Sequence, residues 1–337
     1  MGLLSLPFGI VRTLISVVKT LILKNKAPLR IDLPFPFIPL DIVFISDVTQ
    51  FHAATNDPSL DHLHRIPTKS LPRWAQWYFS GTHFHNAPRD KWFLAFESTT
   101  CPAYTPRRAA HDQLLASEYT PDDVHRVAAL IRANADEDAI ADAVGQMVIG
   151  RSLLSGREIP PSIIQSARHF LRPQITDALI PGHHAASKQA QEVCYQWVAA
   201  TGTPPGLDTI DVVHAFGSVI TKMASAITTL RNNSLDIPVE TLFTRAKNAP
   251  TPTTPRIFLQ KSTLNGALSY PAVPEKTVVL LNNGKAAEAS GDLFFTLGAG
   301  QPRNRVCAFK DYFEHFMRDL QTELRSPSPA AGLSSTR

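Results

Sequence analysis

The sequence predicts a mainly α-helical protein with small β-sheets, an α+β chain built on one principal domain. Three observations lead there. From residue 120 onward apolar residues recur at helical spacing behind strong start signals. Short runs of Ile, Val, Phe and Leu, at residues 42–45 and between 257 and 281, read as strands. Near the C-terminus a Gly-rich loop enters Cys307, and Tyr312, Phe313, Phe316, Met317 and Leu320 follow at helical spacing. The 337 residues, 44% of them hydrophobic, suffice for one large domain or two modest ones. Charged residues make up only 18%, which indicates a folded, apolar-lined protein. The net charge is +4, but Lys and Arg are scattered without interleaved aromatics, so no nucleic-acid partner is expected. Cys101, Cys194 and Cys307 lie far apart, forming neither a disulfide framework nor a zinc pattern, so a reducing compartment is expected.

Residues 1–30 form a first segment. Residues 3–23 are strongly apolar, with Arg12 and Lys19 seven apart on the face that carries Ser5 and Ser16. No run of 18 uncharged apolar residues occurs, which argues against a simple spanning helix. The stretch reads as an amphipathic helix at a membrane surface, or a short anchor followed by basic Lys24, Lys26 and Arg30. The expected location is the cytoplasmic face of an intracellular membrane such as the endoplasmic reticulum, or the cytoplasm. Residues 31–40, with Pro34, Pro36 and Pro39, predict a stiff extended linker. The principal domain is expected over 31–325. Ile42–Ile45 predicts a buried strand, and Ser46 or Asp47 caps a helix through Phe51 and Ala54.

Residues 62–104 are rich in His and aromatics, among them His62, His64, Trp74, Trp77, Tyr78, His83, His85 and Trp92. The two His-x-His pairs lack a carboxylate or cysteine at metal-ligand spacing, so no metal site is expected there. The stretch suits an aromatic wall around a lipophilic molecule. Thr120 with Pro121, Asp122 and Asp123 predicts a helix start carrying Val124, Val127 and Ile131. Further helices are expected through Ile140–Gly150, from Pro161 through Phe170, over 186–200, and from Asp208 or Thr209 through Leu230. The last is the longest and most apolar. A short helix over 238–247 and β-like pieces at 257–259, 267–270 and 273–281 follow. The tail, 326–337, has the composition of a disordered segment.

The residues around Cys307 carry the chemistry. Phe295, Gly298 and Gly300 lead to Pro302-x-Asn304-Arg305-x-Cys307-Ala308-x-Lys310-Asp311, with a helix behind. A thiolate there is favoured by unpaired backbone N–H groups and the positive end of the helix dipole. This resembles the cysteine loop of the cytochrome P-450 superfamily, and within it most nearly that of allene oxide synthases, which rearrange hydroperoxides without O2 or a reductase. The early strand and helix, the Pro-rich stretch and Val273-Pro-Glu-Lys-Thr-Val-Val279 before Asn282-Asn283 resemble the superfamily in the same order along a shortened chain. The resemblance implies a P-450-like helical fold. It makes Cys307 the candidate axial ligand of haem iron and Arg305 a candidate partner for a propionate. Three departures matter. The acid/alcohol motif that serves O–O cleavage on the long helix is absent, and His214-Ala-Phe-Gly217 stands there. The Glu-x-x-Arg core pair is absent. Phe309 replaces the glycine two residues after the cysteine.

Two functions are consistent with these residues. In the first, the fold has kept its pocket and needs no cofactor. It orients a lipophilic natural-product intermediate, a terpenoid or polyketide of secondary metabolism, for cyclisation or isomerisation, with intramolecular cycloaddition of the Diels–Alder type as one form. Candidate hydrogen-bonding residues are His214, Trp77, Tyr78 and His83. In the second, haem is held through Cys307 and the enzyme rearranges or dehydrates a peroxide-type substrate, or is an atypical monooxygenase. A non-catalytic lipid binder is the third class. The departures favour the first. No Gly-x-Ser-x-Gly, P-loop, dinucleotide fingerprint or His-Glu-x-x-His is present. The sequence sets no oligomeric state.

Overall fold

The structure is a computed structural model, and it describes residues 29–33, 40–45, 47–56, 60–62, 85–86, 91–94, 97, 101–116, 119–170, 183–239, 241–242, 254–258, 278–281 and 307–326. The chain divides into two compact units. One comprises residues 1–66 and 251–303, the other residues 67–250 and 304–337.

The first unit contains a five-stranded sheet. Its strands are β1 (Leu29–Leu33), β2 (Leu40–Ile45), β3 (Leu60–His62), β6 (Thr254–Phe258) and β7 (Val278–Leu281). They lie in the order β1-β2-β7-β6-β3. The β2–β7 pairing is parallel, with Ile42 opposite Val278 and Ile45 opposite Leu281, and the other pairings are antiparallel. The buried strand expected at 42–45 is therefore an inner strand. The linker expected over 31–40 begins instead as β1, where Leu29 pairs with Phe44 and Leu33 with Leu40. Leu29, Ile31 and Leu33 alternate with Arg30 and Asp32, a period-two pattern that suits a strand. Helix α1 (Val48–Asn56) follows β2, and the Gln50 N–H donates to the Asp47 carboxylate at 3.0 Å, the expected cap. Ile45, Phe51 and Ala54 are buried.

Among the described residues the second unit is helical apart from a small hairpin of β4 (His85–Asn86) and β5 (Lys91–Trp92). Helix α2 (Tyr104–Leu115) was not legible as a helix. Its apolar residues are sparse, it carries Arg107, Arg108, His111 and Asp112, and Pro106 sits in its first turn, where a proline is tolerated. Helix α3 (Pro121–Arg132) starts at the predicted cap, with the Thr120 N–H donating to Asp123 Oδ2 at 2.8 Å. Helix α4 (Glu137–Val144) is capped by Asp136 and runs into a π-helical stretch, Gly145–Leu153. Gly145 sits where three helices converge: a Cβ there would lie 2.8 Å from Ile164 Cδ1 and 3.3 Å from Ile220 Cδ1. Helices α5 (Pro161–Phe170) and α6 (His183–Thr201) pack along one another.

The long helix α7 (Thr209–Arg231) is the axis of this unit. Asp208 caps it, and it contains a π turn at Phe216–Ile220. By length and composition α7 could cross a membrane, but 83% of its most apolar window is buried against the protein, as in a core helix. Its first half packs on α6 and its second half on α4. Helix α8 (Lys310–Arg325) lays Tyr312, Phe313, Phe316, Met317 and Leu320 into the core and packs on α3.

A buried ion pair fastens α2 to α7. Arg107 Nε donates to Asp211 Oδ2 at 2.8 Å and its Nη2 to Oδ1 at 2.5 Å, while the Leu94 N–H donates to Oδ1 at 3.2 Å. The Asp211 side chain is fully buried. Burial disfavours the Arg107 charge, but Asp211, with Asp208 and Glu97, more than offsets this and raises its pKa. Both lone-pair regions of Asp211 are thus occupied, the condition under which a buried pair holds. Removing one partner strands a buried charge. Arg107→Met should therefore cost about 3–5 kcal/mol of unfolding free energy. In the same chemical denaturation series, Arg107→Met combined with Asp211→Leu should recover most of that loss.

Candidate active site

Helix α7 carries the site. From Ile210 to Ile227 every residue is buried except His214, Ser218 and Lys222, which retain accessible surface. In an uninterrupted α-helix His214 and Lys222, eight residues apart, would point about 80° apart. The π turn between them adds one residue and brings the two directions to within about 20°. The stripe His214-Ser218-Lys222 therefore runs along a single face. The Ser218 hydroxyl donates to the His214 carbonyl at 2.8 Å, which supports the widened turn.

Cys307 lies within electrostatic reach of Lys222 on this stripe. Its carbonyl accepts from the Lys310 N–H at 3.1 Å, forming the turn that leads into α8. Its thiol keeps some accessible surface, yet burial is the first cause of its raised pKa, and the Phe309 N–H, Lys222 and Arg108 act against that rise. Lys222 is lowered by burial, with Cys307 as the opposing charge. His214 is lowered to about 3, first by burial and then by Lys222 and His111. Its ring stacks on Phe93, with centroids 4.7 Å apart. His214, Lys222 and Cys307 each keep some accessible surface although desolvation is the first cause of their shifts, and with Ser218 they mark the candidate site.

Helix α2 adds to the site. His111 is buried, packs edge-on against Phe309 with centroids 5.3 Å apart, and is lowered to about 4, chiefly by burial. Its Nδ1 has no hydrogen-bond partner. Arg108, one turn before it, pairs with Asp112 at 2.8 Å and lies within electrostatic reach of both His111 and Cys307. Phe309, which replaces the glycine of the superfamily's loop, turns its ring to His111 and its backbone N–H to the thiol.

Of the residues singled out from sequence, His214 and Cys307 both fall at this site, each within electrostatic reach of Lys222. Trp77, Tyr78, His83 and Arg305 lie outside the described residues, as does the apolar stretch 3–23. Lys222, Ser218, His111 and Arg108 were missed. Lys222 had a signal, a single charge inside the apolar run Val219–Met223, but the π turn that aligns it with His214 leaves no mark in the residue pattern. Cys194 is structural: it is buried, its thiol is pushed up to about 12 by burial, and it lies 3.8 Å from the Ile163 carbonyl. Among the described residues no cluster of three or more His, Cys, Asp or Glu could hold a metal ion.

No protein-family model and no curated protein matches the sequence. Solved structures do match. A six-coordinated cytochrome P-450 from Thermus thermophilus aligns with 88% of this chain and 87% of its own at a TM-score of 0.56 and 15% identity. CYP154C4 from a Streptomyces species aligns over 93% and 89% at 0.54 and 13%. P-450BioI, solved with a fatty-acyl carrier protein, aligns over 92% and 88% at 0.53 and 12%. The chain has the cytochrome P-450 fold: mainly α, with small sheets, as the resemblance implied.

This likeness corrects one expectation. The departures around Cys307 favoured a site without a cofactor, but the fold is that of haem proteins and points to a haem. The residues present fit one. Cys307 offers a thiolate ligand with a backbone N–H behind it. Arg108 and Lys222 supply cations, and the unpartnered Nδ1 of buried His111 awaits a polar group.

The buried imidazoles make stability depend on pH. His111 and His214 titrate near 4 and 3 in the folded protein, against an ordinary value of 6.5. Between about 6.5 and 4 the unfolded chain binds more protons, so stability is full above 6.5 and falls as pH drops through this window. Unfolding free energy measured from about pH 7.5 to 4.5 should show this decline, and His111→Leu should flatten it.

Proposed function

We propose that the protein is a haem-thiolate enzyme with Cys307 as axial ligand, acting on a lipophilic oxygenated substrate by rearrangement or dehydration. The carrying observation is the juxtaposition of Cys307 with a central-helix stripe that offers His, Ser and Lys. Bound haem would supply an iron centre able to engage a peroxide-type oxygen. Arg108 and His111 are the residues suited to hold its anionic edge.

The chain's own residues set the reaction class. The acid/alcohol motif that serves O–O cleavage is absent from α7: the stripe carries no carboxylate, and its one alcohol, Ser218, donates its hydroxyl to the His214 carbonyl. His214, at about 3, is neutral at physiological pH and is a weak base, so it serves as a hydrogen-bonding group for a substrate oxygen rather than as a strong proton acceptor. Rearranging a peroxide, or losing water from it, breaks the O–O bond without external electrons, so no reductase partner is required. That places the activity among isomerases and lyases, in keeping with the processing of a natural-product intermediate. The apolar stretch 3–23 would bring the enzyme to a membrane surface, where such substrates partition.

The test is the absorption spectrum of protein purified after expression with a haem precursor, reduced under carbon monoxide. A stoichiometric Soret band with the red-shifted thiolate signature is expected, and Cys307→Ala should lose that signature. A folded, colourless wild-type protein, or an unchanged spectrum in Cys307→Ala, would sink the proposal.

A further inference from the structure

Phe93 and Leu94 follow β5 directly, and they are gripped from two sides. The Leu94 N–H donates to Asp211 Oδ1 at 3.2 Å, which fixes this point of the chain to α7. The Arg107 guanidinium holds Asp211 with Nε and Nη2, and its Nη1 lies 3.7 Å from Glu97 Oε2. The Glu97 N–H in turn donates to the Phe93 carbonyl at 2.9 Å and to the Leu94 carbonyl at 3.2 Å. His214 stands three residues beyond Asp211, its neighbour on one face of α7. The clamp therefore delivers the Phe93 ring onto the His214 imidazole, with centroids 4.7 Å apart and planes 20° from parallel. Phe93 is fully buried, whereas His214 keeps accessible surface, so Phe93 covers the enclosed face of the imidazole.

We propose that Phe93 is the positioning residue for His214: it fixes the plane of the imidazole, and with it the direction in which His214 hydrogen-bonds a substrate oxygen. This rests on the reading of His214 as the group that meets the substrate. The last side-chain torsion of a histidine is broad, so an unsupported ring turns over easily. Hydrogen bonds at either ring nitrogen lie in the ring plane, so the plane decides which partner is served. Stacking occupies a face and leaves both nitrogens at the edge available. A neutral imidazole donates at one nitrogen and accepts at the other, so a ring held in one orientation also keeps its donor on one side. A ligand whose oxygen lies in that plane is favoured over one whose oxygen lies above it. Phe93 acts through His214 and, on this account, touches no substrate itself.

The test reads the ring directly. Full-length protein carrying isotope-labelled histidine is studied by NMR of the ring nitrogens, as the diamagnetic ferrous carbon monoxide form where haem is present. The His214 signals are assigned by their loss in His214→Gln. The wild type should show two well-separated nitrogens, the mark of one tautomer in one orientation. Phe93→Leu and Phe93→Met, apolar and close in volume, should draw the two signals together as the ring turns, and Phe93→Tyr, which keeps the stack, should not. Averaged nitrogens in the wild type, or separated nitrogens that persist in both aliphatic variants, would overturn the proposal. Turnover of cumene hydroperoxide by the same proteins is the second readout. Phe93→Leu should lower kcat at least about tenfold with KM nearly unchanged, and combining it with His214→Gln should cost nothing beyond His214→Gln alone. Additive losses would overturn the proposal, because Phe93 would then act independently of His214. A wild-type protein inert toward the hydroperoxide would count against the proposed function, and the nitrogen signals would then decide the role of Phe93.

Discussion

The buried pair of Arg107 and Asp211 is the constraint on which the helical unit turns. It joins α2, the chain at Leu94 and the start of α7 at one fully buried carboxylate. The candidate site is referred to it. His111 lies one turn beyond Arg107 on α2, and His214 lies just beyond Asp211 on α7. A buried pair adds little net stability compared with apolar residues of the same shape, but it penalises every arrangement in which the two partners fail to meet. The register of α2 against α7 is the property it protects. The Glu-x-x-Arg core pair expected of this fold is not written in the sequence, and this ion pair ties helices of the second unit together instead.

A second constraint is the π turn in α7. Its geometry is less favourable than that of an α-helix, and it is held by the Ser218 hydroxyl on the His214 carbonyl and by packing of the buried Phe216, Val219 and Ile220. Its consequence is that three polar side chains share one face of a helix that is otherwise closed on all sides by apolar packing. A polar stripe in that position would be a fault in a structural helix. At a binding site it is the means by which a ligand is recognised.

Much of the architecture was legible because it obeys local rules. The Asp47 cap, the Thr120 to Asp123 capping box, the helix at Pro161, the apolar run of α7 and the pattern after Cys307 each carry their own signal and appear at the expected places. The P-450 fold followed from the order of those signals. What was illegible depends on partners distant in sequence. Helix α2 has too few apolar residues to announce itself and is held by Asp211, far along the chain. Lys222 joins the site through a backbone insertion that leaves no trace in residue type. The preference for a cofactor-free site rested on departures from the superfamily's motifs in a shortened chain, Phe309 among them, and the Phe309 ring packs on His111 while its N–H serves the sulfur.

The fold is that of the cytochromes P-450, Cys307 is present at the start of its last helix, and the acid/alcohol motif of the long helix is not written in the sequence. Cys307, raised by burial, becomes a ligand only if a metal takes its proton's place, and the cations around it favour that exchange. The most direct measurement is iron K-edge X-ray absorption on haem-loaded protein. A sulfur scatterer in the first coordination shell of the iron, lost when Cys307 is replaced, is the predicted result. An iron shell of nitrogen and oxygen alone would contradict it.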